Sequence, residues 1–490
     1  MTTDQTLDLL RQFESRNVTF LEADGSWPIV WARAQGCHVW DAEGRKYLDL
    51  TAAFGVAAAG HANPRVVRAG QRQMATLLHA MGDVHPHSLK ARLAQQLSEL
   101  TFGRWATECG LRIADCGKVI FGNSGFEAVE AALKTARLAT GKAGIIAFEG
   151  GYHGLGYGAL NATHREHFRG PFRNQLREFG HFLPFPGMTD SVAARPSGTD
   201  APAGLESDRR PRRSASGRGR PLNGDSRGGC PTPEVALAQL ETQLGAAFRR
   251  YRIGAILVEP MQARGGIRIP PPGFLPLLRH VADEYGALLI LDEIYTGFGR
   301  TGTWFACEHS GVVPDVICLG KALTGGFPLS ACVGRAGLMD AAWPPSSGEA
   351  IHTSTFLGHP VGCAMALAQL AELKAKRLVE RTAELGAWLA VELARECAVT
   401  RGQCKMAARC VGLMAGIEFN SPDGKPATEL CLTLMKRLLH RGFIVLPEGE
   451  HGNILSFTPP LTITRAQLQR TLRTTFRELS NILIAGARTP

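Results

Sequence analysis

The spacing of apolar positions changes rhythm several times along the chain. Residues 1–20 place Leu7, Leu9, Leu10 and Phe13 on a polar background, which predicts a short amphipathic helix. Between 28 and 50, PIVWARAQGCHVWD and RKYLDL read as the two strands of a hairpin, with DAEG at 41–44 as the turn. TAAFGVAAAGHANPRVV is small and glycine-containing, a composition that suits a loop lining a cavity. From Pro64 to Leu100 the pattern is helical, with a break near His85–His87.

From about Cys116, short apolar runs alternate with helical ones. KVIFGNSG, GIIAFEGGYHG, AILVEP, ALLILDE and VICLG are five strand-like runs. FEAVEAALKTARLAT and PGFLPLLRHVADEYG are helices among them. Such alternation predicts a mainly parallel sheet covered on both faces. In these sheets ligands sit beyond the carboxyl ends of the strands. After Pro344 the order becomes mixed: helices over 357–396, a strand in VGLMAGIEFN, a helix over 426–442, a strand at 443–446, ILSFTPP, and a terminal helix from Arg465. The expected division is an N-terminal segment of a small domain (1–75), a large domain (76–345) and a C-terminal small domain (346–490). The N-terminal hairpin would join the last of these.

Residues 188–232 interrupt the alternation. They are rich in Arg, Gly, Ser, Pro and Asp, with almost no large apolar residue after Val192. Such a stretch buries too little surface to offset its ordering entropy, so a disordered insertion is expected there. It also accounts for part of the chain's formal charge of +10. Between Ser191 and Cys230 eight arginines stand against four acids, a net of +4, which leaves +6 for everything else. The basicity is therefore local, and a solvated loop explains GRGR better than nucleic-acid binding. No apolar run approaches the ~18 residues of a membrane-spanning helix. MTTDQTLDLLRQFES has neither a signal-peptide apolar region nor Arg-rich transit character. Twelve cysteines form no CxxC and have no histidines at zinc-ligand spacing. Reduced thiols in a cytoplasmic protein are expected, with no metal site and no membrane.

Candidate chemistry gathers at strand ends. Lys321 follows the apolar run Val316–Leu319 and precedes the small-residue segment Ala322–Gly326. Burial disfavours a charged amine and leaves a nucleophile toward aldehydes. NSGFEAVEAALK places a glycine before a helix, a ready anion site. GYHG at 151–154 offers an aromatic for a flat ring. LDEIYTGFGRTG ends a strand on adjacent acids, one of which needs a cationic partner if buried. Its GFGRTG is formally GxGxxG, but no suitable helix opens on it, which excludes a dinucleotide fingerprint. Ser354 and Thr355 add hydroxyls before a small-residue helix. An anion cup, an aromatic, paired acids, a lysine and a hydroxyl together suit a planar, phosphorylated, aldehyde-bearing heterocycle.

With these motifs the chain resembles the class III aminotransferases that use pyridoxal 5′-phosphate, in the 4-aminobutyrate, acetylornithine and ornithine group. The likeness runs from about Pro28 to Thr464 apart from the insertion, and rests on LDEIYTGFGRTG with the Lys321 stretch. It implies an α/β protein of fold type I: a large domain with a mostly parallel, seven-stranded-type sheet, a smaller α+β domain from the two terminal segments, and a homodimer with shared active sites. It implies that Lys321 holds the cofactor and moves the proton between substrate Cα and cofactor C4′. Asp292 would pair with the pyridinium nitrogen. Gly125 and Phe126 would offer backbone N–H groups to the phosphate, Tyr152 and Ile294 would flank the ring, and Gln262 would line the pocket near it. Thr355 would reach the phosphate of the neighbouring subunit. Glu259 and Glu293 belong to the same motifs without an assigned task. The implied reaction is ping-pong transfer from an amine or ω-amino acid to a 2-oxo acid. Aminomutase, decarboxylase or epimerase chemistry on the same fold is the alternative, and a non-catalytic binding protein a more distant one.

Three positions depart from the family pattern. Relatives acting on ornithine or 4-aminobutyrate carry an acid where this chain has Arg264, and an arginine where it has Ser456. In them that arginine binds the α-carboxylate and the acid gates it. Arg264 is therefore the expected carboxylate contact here, its fork suiting a carboxylate. Tyr295 replaces a common glutamine beside the cofactor's ring oxygen, and Phe54 is a candidate pocket wall.

Overall fold

The computed structural model describes residues 1–22, 27–108, 116–187, 232–399 and 404–486. PIVWARAQGCHVWD, expected as one strand, folds back on itself. Trp31–Gln35 (β1) and His38–Asp41 (β2) pair antiparallel, with Gln35 opposite His38. Gly36 takes φ +58°, the left-handed conformation that a two-residue hairpin turn needs. Lys46–Asp49 (β3) then pairs antiparallel with β2.

The central sheet has seven strands: Gly117–Gly122 (β4), Gly144–Phe148 (β5), Gly180–Leu183 (β6), Ile253–Val258 (β7), Leu288–Asp292 (β8), Val316–Leu319 (β9) and Ser330–Arg335 (β10). Their order is β4-β10-β9-β8-β7-β5-β6. All neighbours from β9 to β6 run parallel, while β10 is antiparallel to both β9 and β4. The five strand-like runs are all present, joined by β6 and β10, which the pattern did not single out. β7, β8 and β9 are buried along their whole length, as expected of strands covered on both faces.

Alternate residues of these strands enter two separate cores. Leu257, Ile290, Val316 and Cys318 meet the alanine face of the helix Gly125–Thr140, with Ala128, Ala131, Ala132 and Ala136 buried. Ile256, Leu289, Leu291 and Ile317 meet Phe274, Leu275, Leu278 and Val281 of the helix Phe274–Tyr285. Each buried leucine or phenylalanine contributes roughly 1.5–3 kcal/mol. The strand ends between these layers are thus held rigidly.

Lys405–Val411 (β11), Met414–Asn420 (β12), Phe443–Ile444 (β13), Leu446–Glu448 (β14) and Ile454–Phe457 (β15) complete the strands. β11-β12-β15-β14 form an antiparallel sheet. β13 instead pairs parallel with β3, so the first fifty residues and the C-terminal segment share a sheet. The helical stretch after Pro64 divides into Pro64–Thr76 and Ser88–Ser98, so its break is longer than the sequence suggested. Of the expected insertion only Thr232 lies within the described residues.

GFGRTG has a clear structural task. Arg300 donates from Nη1 to the carbonyls of Leu413 (3.0 Å) and Pro459 (2.6 Å), and Leu413 N donates back to Arg300 O at 3.0 Å. Gly412 approaches so closely that a Cβ there would lie 2.4 Å from the Thr301 carbonyl carbon. The stretch after β8 is thereby stitched to the C-terminal sheet.

Candidate active site

Four parallel strands deliver polar residues to one edge. β9 ends at Leu319, and Lys321, with φ +41°, opens a single turn, Lys321–Leu323. Its Nζ lies 4.6 Å from the centroid of the Tyr295 ring. Burial lowers the pKa of this amine, against the opposing pull of Asp292 and Glu259. A lysine with that environment spends more time as a free amine.

β8 ends at Asp292, which is buried. Its Oδ2 lies 2.8 Å from His153 Nδ1, and its Oδ1 accepts from Ile294 N at 3.1 Å. His153 is fixed in turn by its backbone N–H, which donates to Thr163 Oγ1 at 2.9 Å. Beyond β7, Glu259 accepts from Tyr152 N (3.0 Å) and Ala263 N (3.1 Å). Burial pushes its carboxyl up to about 7, with His153 opposing and Asp292 reinforcing that shift. Glu259 thus ties the loop after β5 to the turn after β7.

The two adjacent acids separate, as successive strand residues do. Asp292 faces the lysine. Glu293 accepts from the Thr296 hydroxyl, Ala306 N (2.9 Å) and Cys307 N (2.8 Å). Burial nevertheless pushes Glu293 up to about 7. It holds the turn after β8 in shape and does no evident chemistry.

At the start of the helix Gly125–Thr140, Glu127 accepts from Asn123 N (2.6 Å) and Ser124 N (2.7 Å). Among the described residues, the N–H groups of Gly125 and Phe126 make no hydrogen bond. A Cβ at Gly125 would meet Ile294 Cδ1 at 3.0 Å, and Phe126 lies against Gly154. The helix start therefore sits between Ile294 and the GYHG turn, with two donors open for an anion. These groups fit pyridoxal phosphate: an amine for its aldehyde, a carboxylate for its ring nitrogen, and N–H groups for its phosphate.

The mouth is formed by Tyr152, Phe54 and Arg264. The Arg264 guanidinium carbon lies 5.3 Å from the Tyr152 ring centroid and 5.9 Å from that of Phe54. Tyr152 also meets Phe168 edge-on at 5.5 Å. Phe54 sits in a left-handed turn: Ala52, Ala53 and Phe54 have φ of 47°, 49° and 61°, and Gly55 has 81°. Asp49 steadies that turn by accepting from Thr51 N (2.8 Å) and Thr51 Oγ1 (2.6 Å), and it pairs with His61 at 2.7 Å.

Other expected residues have further tasks. The Tyr295 hydroxyl hydrogen-bonds Thr458 Oγ1 at 3.0 Å, and burial pushes its pKa up to about 12. Gln262 donates from Nε2 to Glu149 O at 2.8 Å, and its Oε1 accepts from Arg268 at 3.3 Å, so its amide ties two loops. Thr355 is exposed and makes no hydrogen bond among the described residues. Its neighbour Thr353 donates to Asp83 Oδ2 at 2.6 Å. Ser456 donates to Leu446 O at 3.0 Å.

Three residues without an assignment from sequence also lie here. His153 stood within the GYHG motif, and its place after a strand was the available signal. Glu448 and Arg165 gave none. Glu448, the last residue of β14, comes within 3.9 Å of Arg264, and the turn begins after it. Arg165 donates to Gly449 O (3.0 Å) and Glu450 O (3.4 Å) of that same turn.

Known proteins resemble this chain over most of its length. The family model described as "Aminotransferase class-III" matches residues 21–197 and 232–478. An acetylornithine aminotransferase of Methanosarcina mazei is 33% identical over 448 residues, covering 91% of each chain. A 5-aminovalerate aminotransferase of Pseudomonas aeruginosa is 34% identical over 450 residues, 91% of this chain and 92% of that one. Among solved structures, a thermostable (S)-enantioselective omega-transaminase from Thermomicrobium roseum matches with a TM-score of 0.80 at 28% identity, covering 99% of both chains.

Proposed function

We infer that this chain, which belongs to the class-III aminotransferases, uses the cluster around Lys321 to move an amino group from an amine or ω-amino acid to a 2-oxo acid by a ping-pong cycle. Its cofactor is pyridoxal 5′-phosphate. The observation that carries the reading is the buried Asp292, paired with His153 at 2.8 Å and facing the Lys321 amine, whose pKa burial lowers. When bound, the cofactor supplies an electrophilic carbon for amines and a ring that withdraws the electron pair of a broken C–H bond.

In our reading the chain's own residues do the rest. Lys321 Nζ takes the proton from the substrate carbon and returns it, as a positioned general acid and base. Asp292, held by His153, keeps a carboxylate where the ring-nitrogen proton belongs. The free N–H groups of Gly125 and Phe126 hold the phosphate. Tyr152 and Ile294 bound the flat slot, and Tyr295 closes it beside Lys321. Arg264 takes the carboxylate of the 2-oxo acid, with Phe54 as the outer wall; its partly exposed side chain and an Nε that makes no hydrogen bond among the described residues support this.

A homodimer is part of the proposal. Leu78, Met81, Val84, Ile351 and Phe356 are exposed apolar side chains on the segments that flank Thr355, a surface suited to a second copy. Thr355 would then serve the neighbour's phosphate. The division at 75/76 and 345/346 is supported by the sheet that β3 shares with β13. A cytoplasmic location is supported by free, buried thiols such as those of Cys307, Cys318, Cys332 and Cys363. Among the described residues no helix is long and apolar enough to cross a membrane.

The test is a single half-reaction. Holoenzyme given an amine donor and no acceptor should release one carbonyl product per active site and lose the cofactor's visible absorbance; added pyruvate or 2-oxoglutarate should restore it. Racemised amine without carbonyl product would overturn transamination.

A further inference from the structure

Arg264 and Glu448 have the wrong geometry for a structural ion pair. Glu448 closes β14 and is only 5% exposed, whereas Arg264 stands in the turn after β7. Arg264 Nε and Glu448 Oε2 are 3.9 Å apart, beyond hydrogen-bond reach. Both atoms are buried, and among the described residues neither makes a hydrogen bond. A buried charged pair left without hydrogen bonds is costly, while a two-pronged contact between guanidinium and carboxylate is strong. The arrangement is therefore incomplete on both sides.

The two residues differ in how firmly they are held. The turn bearing Glu448 is anchored by Arg165, which donates to Gly449 O and Glu450 O, and by Gly449 N, which donates to Arg264 O at 3.2 Å. The Arg264 guanidinium lies between the rings of Tyr152 and Phe54, which attract a cation without fixing its direction. Glu448 is the fixed partner, and the Arg264 side chain is the part able to turn. Burial raises the Glu448 pKa, while Arg264, Arg165 and Lys321 pull it down. The buried Arg264 Nε–H has no acceptor among the described residues, and an anion is the group that completes it best.

We propose that Arg264 and Glu448 form an electrostatic gate: Glu448 neutralises Arg264 while no carboxylate is bound there, and Arg264 leaves it for the carboxylate of the 2-oxo acid. This rests on the reading of Arg264 given above. Arg165 remains beside Glu448 after Arg264 turns away, so the acid is never left without a cation. The polarity is opposite to the family pattern, with the arginine after β7 and the acid on the late strand pair. Ser456, at the position of the usual arginine, is occupied with the Leu446 carbonyl.

The experiment is a cycle of Glu448→Gln, Arg264→Gln and both together, made in the holoenzyme. Two quantities are read: the calorimetric Kd of glutarate, an inert dicarboxylate, and KM against kcat for pyruvate or 2-oxoglutarate, whichever turns over faster. Glu448→Gln should tighten glutarate and lower acceptor KM by about tenfold with little change in kcat, because Arg264 no longer has to leave a partner. Glu448→Asp, which keeps the charge, should stay near the native values. In the Arg264→Gln background, Glu448→Gln should have no effect. If Arg264→Gln leaves glutarate Kd and acceptor KM unchanged, the carboxylate reading itself fails. If it weakens both but Glu448→Gln does not tighten them, or tightens them equally without Arg264, Arg264 still reads the carboxylate and the gate is overturned. Should Glu448→Gln lower the urea midpoint, Glu448→Asp carries the comparison alone: a tenfold tightening with the charge retained would also overturn the gate.

Discussion

His153 Nδ1 lies 2.8 Å from Asp292 Oδ2, and both side chains are buried. Asp292 has one other hydrogen bond, from Ile294 N. Removing the imidazole leaves half of a buried carboxylate unpaired. His153→Ala should weaken cofactor binding and lower kcat/KM by about 10- to 100-fold, the equivalent of the roughly 1.5–3 kcal/mol of a hydrogen bond to a charged group. Titration of the apoprotein with pyridoxal phosphate, followed by absorbance, measures the first. Steady-state rates measure the second. Unchanged values for both would reduce His153 to a packing residue.

Lys321→Ala should abolish turnover while leaving the unfolding free energy from urea titration within about 1 kcal/mol of the parent, since the side chain contributes a buried amine and not core volume. Borohydride treatment of the native holoenzyme should add the cofactor's mass to the peptide containing Lys321, and the variant should show no such adduct. An adduct on another lysine would move the catalytic assignment.

Two buried acids predict a pH dependence of stability. Burial pushes Glu259 and Glu293 each up to about 7 in the folded protein, against the ordinary 4.5 of a glutamate carboxyl. Between these values the folded chain binds more protons than the unfolded one. Their contribution is full below about 4.5 and is lost as pH rises through about 7, by up to ~1.4 kcal/mol per pH unit for each group. Glu293→Gln should flatten the fall in urea midpoint between pH 5 and 7. A slope identical to the parent's would show that Glu293 stays ionised across that window.

The left-handed turn at 52–55 carries strain that a substitution can release. Each non-glycine residue there costs roughly 1–2 kcal/mol relative to glycine. Ala53→Gly should therefore stabilise the protein by about 1 kcal/mol in urea denaturation, despite the usual entropic penalty of glycine. Because the turn carries Phe54 at the mouth, the same change should raise KM for both substrates. A destabilised variant would mean that the turn is not strained in the native state.

Much of this was legible because it depends on local order. Lys321 comes just after the apolar strand β9 and Asp292 ends the otherwise apolar β8, and a polar residue at such a strand end is forced toward the ligand edge. The helix start at Gly125 is equally local. The reversal at Gly36 was hidden, since apolar spacing looks alike on both sides of a two-residue turn. β6 and β10 are short, and their character comes from neighbours found far away in sequence. Glu448 was invisible for a related reason: VLPEGEHG reads as a polar turn until β14 pairs with β15 and aims its acid at a residue 184 positions earlier. The sequence marked Arg264 and Ser456 as departures from the family pattern. It did not show that Glu448 comes to stand beside Arg264.

The contact between Arg300 and the carbonyls of Leu413 and Pro459 has a mechanical consequence. Backbone meets backbone at Gly412 with no side chain between, and three hydrogen bonds cross the junction. A junction of that kind shears poorly and does not open as a clamshell. Any adjustment to substrates of different shape then falls to side chains at the rim, such as Arg264 beside Tyr152 and Phe54.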